Sequence, residues 1–289
     1  MRNRTSTRTR WMAGSLATAA LLAIAPASAA GADGFAIVEH RDIDYIAGKD
    51  YAEDKDKLDV FMPEGVSDAP VVVYFHGGAL QAGTKAIGEG LARQLAARGI
   101  GLVTANYRLS PSVMHPAHME DATAAFAWTK KHIASYGGDP ERVFLSGHSA
   151  GAYLAALMAL DPSYLEAHGL KLSDVRGVIP ISPFLHVEDP DVAPRRPKTV
   201  WGTDPEVWLQ ASVTPYVGAD KPPMLFIYAD GDDAWRREQN QRLAADLTAK
   251  GNKAMAIEIA DRTHGSVNSK MADDDDPGML KVADFVERH

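Results

Sequence analysis

Residues 143–151 read Val-Phe-Leu-Ser-Gly-His-Ser-Ala-Gly, and this stretch decides the fold. The apolar run 143–145 is typical of a buried strand, and residues 150–160 favour a helix. Between them, residues 147–151 match G-x-S-x-G, a pattern in which a strand turns sharply into a helix and presents its serine. Glycines on both sides relieve the crowding that such a turn imposes. The stretch therefore predicts an exposed nucleophile, Ser149, at the start of a helix.

Apolar runs and helical patterns alternate on both sides of this turn. The predicted strands are residues 36–46, 58–62, 71–75, 101–107, 143–145, 175–181, 224–228 and 254–259. The predicted helices are residues 87–98, 121–136, 150–160, 238–250 and the last dozen residues. This alternation, with no internal repeat or linker, predicts one α/β domain over residues 30–289 whose sheet is mostly parallel and covered by helices on both faces.

Residues 183–217 interrupt the alternation with five prolines before Pro215 and with two tryptophans, Trp201 and Trp208. A long segment of this kind between two core strands is typical of a surface excursion. In a parallel sheet it would cover the carboxyl ends of the strands, where ligands bind. We expect a lid or pocket wall here, with an ordinary structural loop as the alternative.

The composition excludes several classes of protein. The net charge is −8, which argues against a nucleic-acid partner, since that partner requires a basic face. The chain has no cysteine, so disulfides and thiolate metal sites are excluded. Residues 1–29 combine a basic start, a short apolar run and a small-residue site, as a cleavable signal peptide does. We expect export to a periplasm or out of the cell, with no stable membrane anchor after cleavage.

A serine needs a base to accept its proton, and the base needs a carboxylate to orient it. In strand–turn–helix hydrolases these follow the serine in the order acid, then histidine. His264 follows the last predicted strand and precedes the last helix, which is the position for the base. The loop after strand 224–228 offers Asp230, Asp232 and Asp233 as acids, and another aspartate of this loop is expected to cap the next helix.

The negative charge that forms on a substrate oxygen needs backbone N–H donors. The strand 71–75 runs into His76-Gly77-Gly78-Ala79, where glycines allow close approach to a substrate. Gly77, Gly78 and Ala150, the residue after the nucleophile, are therefore the predicted donors of an oxyanion hole.

No metal site is expected. Four consecutive acids, residues 273–276, cannot all point inward, and a solvated loop explains them better. His115 and His118 have no third ligand at useful spacing.

Taken together, several motifs resemble the bacterial esterase and lipase group of the α/β-hydrolase superfamily, near its hormone-sensitive-lipase-like and kynurenine-formamidase-like branches. The motifs are residues 58–63 (LDVFMP), 76–78 (HGG), 106–111 (NYRLSP), 136–140 (YGGDP) and 147–151 (GHSAG). The resemblance implies an α/β-hydrolase fold with an eight-stranded sheet, a Ser-Asp-His triad and no cofactor. Its register places the acid on Asp232, with Asp233 as second choice.

Two departures from the family pattern bear on the pocket. Ala79 stands where lipases have a third glycine, and there is no room before Leu58 for a long two-helix cap. An open pocket for small or extended acyl groups is therefore expected. The preferred hypothesis is a serine carboxylesterase acting on small carboxylic esters. The alternatives are an amidase of the arylformamidase type and a non-catalytic binding homologue.

Overall fold

The computed structural model describes residue 1 and residues 34–49, 51–190 and 197–289. The predicted signal peptide falls almost wholly outside these ranges. The strands are β1 (Ile37–Asp44), β2 (Lys57–Pro63), β3 (Ala69–Phe75), β4 (Gly101–Ala105), β5 (Gly138–His148), β6 (Val178–Ile181), β7 (Met224–Gly231) and β8 (Ala254–Thr263). The helices are α1 (Glu89–Ala96), α2 (Ala117–His132), α3 (Ala150–Leu160), α4 (Pro162–Glu166), α5 (Lys198–Trp201), α6 (Pro205–Gln210), α7 (Ala234–Ala249), α8 (Ser266–Ser269) and α9 (Pro277–Arg288).

The eight strands form one sheet in the order β1-β2-β4-β3-β5-β6-β7-β8. The β1–β2 and β2–β4 pairs are antiparallel, and every other pair is parallel. The predicted eight-stranded, mostly parallel α/β sheet is therefore confirmed. Because β3, β5, β6, β7 and β8 all run in one direction, the loops that follow them meet at one edge.

The core lies on both faces of this sheet. In β3 every side chain from Val71 to Phe75 is fully buried, as a continuous apolar run requires. Val71, Val73 and Phe75 join the apolar cluster on one face, and Val72 and Tyr74 join the cluster on the other. Both faces of the central strands are thus covered.

Several element boundaries differ from the sequence prediction. The helix α7 begins at Ala234, four residues before the predicted start, because polar residues in its first turn hide the helical period. The strand β6 is only four residues long, shorter than the predicted strand 175–181. The predicted helix 121–136 begins earlier, at Ala117, and its last turn is a 3₁₀ helix. The strands that carry the site also run past their predicted ends at 145, 228 and 259: β5 ends at His148, β7 at Gly231 and β8 at Thr263.

Candidate active site

The turn between β5 and α3 holds Ser149 in a strained backbone conformation. Ser149 has φ 53° and ψ −112°, in the region that side chains avoid. Its N–H donates to the carbonyl of Ile181 at 2.8 Å. A Cβ at Gly151 would lie 2.0 Å from the carbonyl oxygen of Phe75, so glycine is required there. The local sequence thus lets β5, β3 and α3 pack tightly enough to present the serine.

The structure brings Ser149, His264 and Asp232 together from three separate loops. His264 Nε2 lies 2.9 Å from Ser149 Oγ, and His264 Nδ1 lies 2.6 Å from Asp232 Oδ1. With Nδ1–H donated to the carboxylate, Nε2 is left to accept the serine proton. Of the three candidate acids, the histidine contacts Asp232.

Asp232 is 5% exposed and held as a carboxylate by several donors. Its Oδ2 accepts the hydroxyl of Ser182 at 2.6 Å and the N–H of Ala229 at 3.0 Å. Burial by itself would raise the pKa of Asp232, but these bonds and the one from His264 lower it below its usual value. The carboxylate therefore stays ionised at neutral pH and orients the imidazole.

Two further contacts fix the loop that carries His264. The ring of His148 lies 4.8 Å from that of His264, and His148 Nε2–H donates to the His264 carbonyl at 2.7 Å. Burial, with the nearby His264, lowers the pKa of His148 to about 4, so its ring is neutral. Asp230 accepts the backbone N–H groups of Asp261 and Arg262, each at 3.0 Å. The ends of β7 and β8, from which the acid loop and the histidine loop leave, are thus joined directly.

We expected an aspartate of the acid loop to cap the next helix through its side chain, and this prediction is wrong. Asp233 occupies the N-cap position of α7, but its side chain makes no capping bond to the helix backbone. Its Oδ2 instead accepts the indole N–H of Trp235 at 3.1 Å. The competing donor comes from the first turn of the same helix, where an indole N–H lies within reach.

The loop after β3 lies directly against Ser149. A Cβ on Gly77 would lie 2.9 Å from His148 Nδ1 and 3.4 Å from Ser149 Cβ. Gly78 has φ 120°, and Ala79 after it has φ 55°. Among the described residues, no hydrogen bond engages the N–H of Gly78 or Ala150. Within the described ranges both N–H groups therefore remain open to an outside acceptor.

His76 anchors this loop from beneath. Its ring stacks on Tyr107 at 4.3 Å, and the Tyr107 hydroxyl donates to the His76 carbonyl at 2.7 Å. His76 is fully buried, and burial lowers its pKa to about 4. The neutral, stacked ring of His76 holds the loop after β3 in a fixed position.

A cavity of about 180 Å³ opens beside Ser149. Most of its lining is apolar or aromatic, with one cation. The lining residues are Ala79, Ser149, Phe184, Val187, Pro197, Trp201, Trp235 and Arg236. Four of these belong to the excursion predicted over residues 183–217, of which 191–196 fall outside the described ranges. The described part of the excursion thus forms one wall of the cavity.

Sequence reasoning missed three residues of the site. Ser182 follows β6 and donates to Asp232, Arg236 lies on α7, and His148 is the variable residue of the G-x-S-x-G motif. Ser182 leaves one usable signal, because it follows a buried strand at the same sheet edge as Ser149. Arg236 has none, since arginine in a helix is ordinarily a solvated side chain.

The described ranges offer neither a cluster of metal ligands nor a membrane-spanning helix. No group of three or more His, Asp or Glu side chains in these ranges is arranged to hold a metal ion. No helix within the same ranges has the length and apolar character needed to cross a membrane.

The chain is similar to proteins of one sequence family and to curated esterases. The family model described as BD-FAE matches residues 58–247. The probable carboxylic ester hydrolase LipM of Mycobacterium tuberculosis is 32% identical in an alignment of 181 positions that covers 57% of this chain and 41% of LipM. Esterase LipQ of the same organism is 30% identical, over 63% of this chain and 47% of LipQ. The chain therefore spans less than half the length of these two relatives.

Solved structures share the fold. A truncated carbohydrate esterase from gut microbiota has a TM-score of 0.73 at 19% identity, covering 90% of this chain and 98% of that one. The propionate-bound esterase Est2 of Thermogutta terrifontis has a TM-score of 0.67 at 24% identity, covering 88% and 93%. At these identities the likeness concerns the fold.

Proposed function

The chain belongs to the BD-FAE family, within the esterase and lipase group of the α/β-hydrolases, and from this premise we propose that it is a serine carboxylesterase. The observation that carries the proposal is the contact chain Ser149–His264–Asp232, with 2.9 and 2.6 Å between the bonded atoms. A serine with a base and an orienting acid at these distances is equipped for acyl transfer.

In the first half-reaction Ser149 Oγ attacks the ester carbonyl while His264 Nε2 accepts the serine proton. The cation formed on His264 faces the Asp232 carboxylate, which stabilises it. The backbone N–H groups of Gly77, Gly78 and Ala150 donate to the new oxyanion. His264 then protonates the leaving alcohol, and an acyl-enzyme remains on Ser149.

In the second half-reaction water replaces the alcohol. His264 takes a proton from water as it attacks the acyl-enzyme, and returns that proton to Ser149 Oγ when the acid leaves. The same residues therefore serve both steps, and no cofactor takes part.

The size of the cavity supports small acyl groups. Its volume of about 180 Å³ lies below the range of roughly 300–1,000 Å³ that drug-sized ligands occupy. Trp201, only 4% exposed, packs edge-on to Tyr153 and closes one side. We propose a preference for short or compact acyl chains on this ground.

The test is hydrolysis of p-nitrophenyl esters from acetate to decanoate by the mature protein and by Ser149→Ala. The matched control is Ser173→Ala, an exposed serine before β6, at the other edge of the sheet. We expect turnover that is greatest for short chains, lost in Ser149→Ala and unchanged in Ser173→Ala. Equal turnover in all three would exclude Ser149 as nucleophile. Activity on formamides alone would favour the amidase, and no activity on either class a binding role.

Export is proposed from the character of residues 1–29. The test is expression of the full chain in a bacterial host, followed by fractionation and mass measurement of the exported form. A mature protein that begins at residue 30 or 31 is expected. A full-length product confined to the cytoplasm would contradict export.

A further inference from the structure

Arg236 lies between the wall of the cavity and the acid of the triad. It sits in the first turn of α7, and its side chain is 12% exposed. Its Nε lies 3.7 Å from Asp232 Oδ1, and Nη1 donates to the carbonyl of Ser182 at 2.8 Å. Ser182 in turn donates its hydroxyl to Asp232 Oδ2. Arg236, Ser182 and Asp232 therefore each contact the other two, and the Asp232 carboxylate is held by both of its neighbours.

The cation of Arg236 is also fixed on its outer side. Its guanidinium carbon lies 4.7 Å from the centre of the Trp235 ring, which lines the same cavity. Stacking on an indole holds a guanidinium in place while leaving it charged. The positive charge thus has a defined position at the triad.

Among the described residues, the charged and titratable groups around His264 leave Arg236 as the cation that contacts the triad's acid. Asp232 faces the ring from the acid loop, and His148, which is neutral, faces it from the serine turn. Arg262, in β8 two residues before the histidine, is paired with Asp276 at 2.7 Å. Asp233 is exposed.

This arrangement has an electrostatic consequence for the base. A lone carboxylate beside an imidazole favours the protonated ring, whereas a cation on that carboxylate offsets part of its charge. Arg236 therefore offsets part of the negative charge that Asp232 presents to His264. A base that stays unprotonated at mildly acidic pH can accept the serine proton there.

We propose that Arg236 is a positioning residue that holds Asp232 and extends activity of the triad to lower pH. The inference rests on the proposed function, because it requires His264 to act as a base toward Ser149.

The experiment compares wild type with Arg236→Gln, which removes the charge, and Arg236→Lys, which keeps it. The matched control is Arg237→Gln, since the neighbouring arginine pairs instead with Glu258 at 3.6 Å. Two rates are measured from pH 4.5 to 9: kcat/KM for p-nitrophenyl acetate, and labelling of Ser149 by a fluorophosphonate, with the modified peptide identified by mass spectrometry.

We expect the acid limb of both profiles to move to higher pH by about one unit in Arg236→Gln. It should stay near the wild-type position in Arg236→Lys and Arg237→Gln. If Arg236→Gln has a lower maximal rate but its acid limb stays at the wild-type pH, the inference is overturned and Arg236 has a packing role. A raised KM with an unmoved limb would overturn it in favour of substrate binding.

Failure of the proposed function gives a different result. Wild-type protein that is not labelled at Ser149 at any pH lacks an activated serine, and both proposals then fall. If Arg236→Gln does not fold, Arg236→Met is used in the same test. The methionine side chain still covers the Trp235 ring but has no charge. An unmoved limb in that variant overturns the inference equally.

Discussion

Substitution of Ser182 by alanine tests whether the acid of the triad depends on a hydrogen bond from a neighbouring strand. Ser182 is fully buried, and its hydroxyl donates to Asp232 Oδ2 at 2.6 Å. Alanine removes this donor, so that Asp232 Oδ2 accepts only the N–H of Ala229. The folded protein loses a bond to a charged group, and the carboxylate loses one of the contacts that hold it against His264.

The expected magnitude follows from the kind of bond. A buried hydrogen bond to a charged group contributes about 1.5–3 kcal/mol, and a neutral one about 0.5–1.5. A loss of about 2 kcal/mol corresponds to a fall in Tm of roughly 4–8 °C for a protein of this size. Because the carboxylate is also freer to turn, we expect kcat to fall about tenfold, which equals about 1.4 kcal/mol in the barrier.

The control is Ser146→Ala, since Ser146 is buried too but donates to the carbonyl of Ile179, at 2.7 Å. Thermal unfolding at pH 8 and p-nitrophenyl acetate hydrolysis are measured for both variants. Ser182→Ala should lose more stability than Ser146→Ala and should alone lose activity. Equal losses of Tm with unchanged kcat in both would refute the reasoning, because Ser182 would then be an ordinary buried serine.

Three further predictions concern other parts of the site. Gly77→Ala should reduce kcat at least 100-fold with little change in KM, because the added Cβ would lie 2.9 Å from His148 Nδ1; unchanged kcat would contradict the close approach. Acid should weaken the fold between pH 6.5 and 4, because burial lowers the pKa of His76 and of His118 to about 4 while the unfolded chain takes up protons near 6.5. Each residue should contribute a loss of roughly 3 kcal/mol over this window, measured by urea unfolding at pH 7 and 4.5, and a flat response would contradict it. Trp201→Leu should enlarge the cavity and move the preferred acyl-chain length to longer esters. An unchanged preference would show that Trp201 does not contact the acyl chain.

The sequence predicts the sheet and its central turn because their signals are local. The run Val71–Phe75 is fully buried, and the serine turn carries its own glycines, so neighbouring residues determine each conformation. The structure places the predicted serine and histidine within 2.9 Å of each other although they are 115 positions apart. Chain order along a parallel sheet is enough to bring them to one edge.

The supporting contacts of the site could not be predicted in the same way. Ser182 and Arg236 act through hydrogen bonds across three elements, and no periodicity records such a bond. The bonding of Asp233 was predicted wrongly because an indole donor two residues away competes with the helix backbone. Contacts of this kind depend on where side chains point after packing, which a pattern of residue types does not specify.

The position of β8 in the sheet has a consequence for how the proposed activity would be lost. Among the described strands, it lies at the sheet's end and pairs only with β7, yet the loop after it carries His264. Strands held on a single side open more readily than central ones. In mild denaturant, β8 should therefore open and move His264 away from Ser149, while the central strands and the serine turn remain folded. Inactivation would then precede the loss of helical signal, and a protein diluted promptly from such a state would recover its activity without refolding its core.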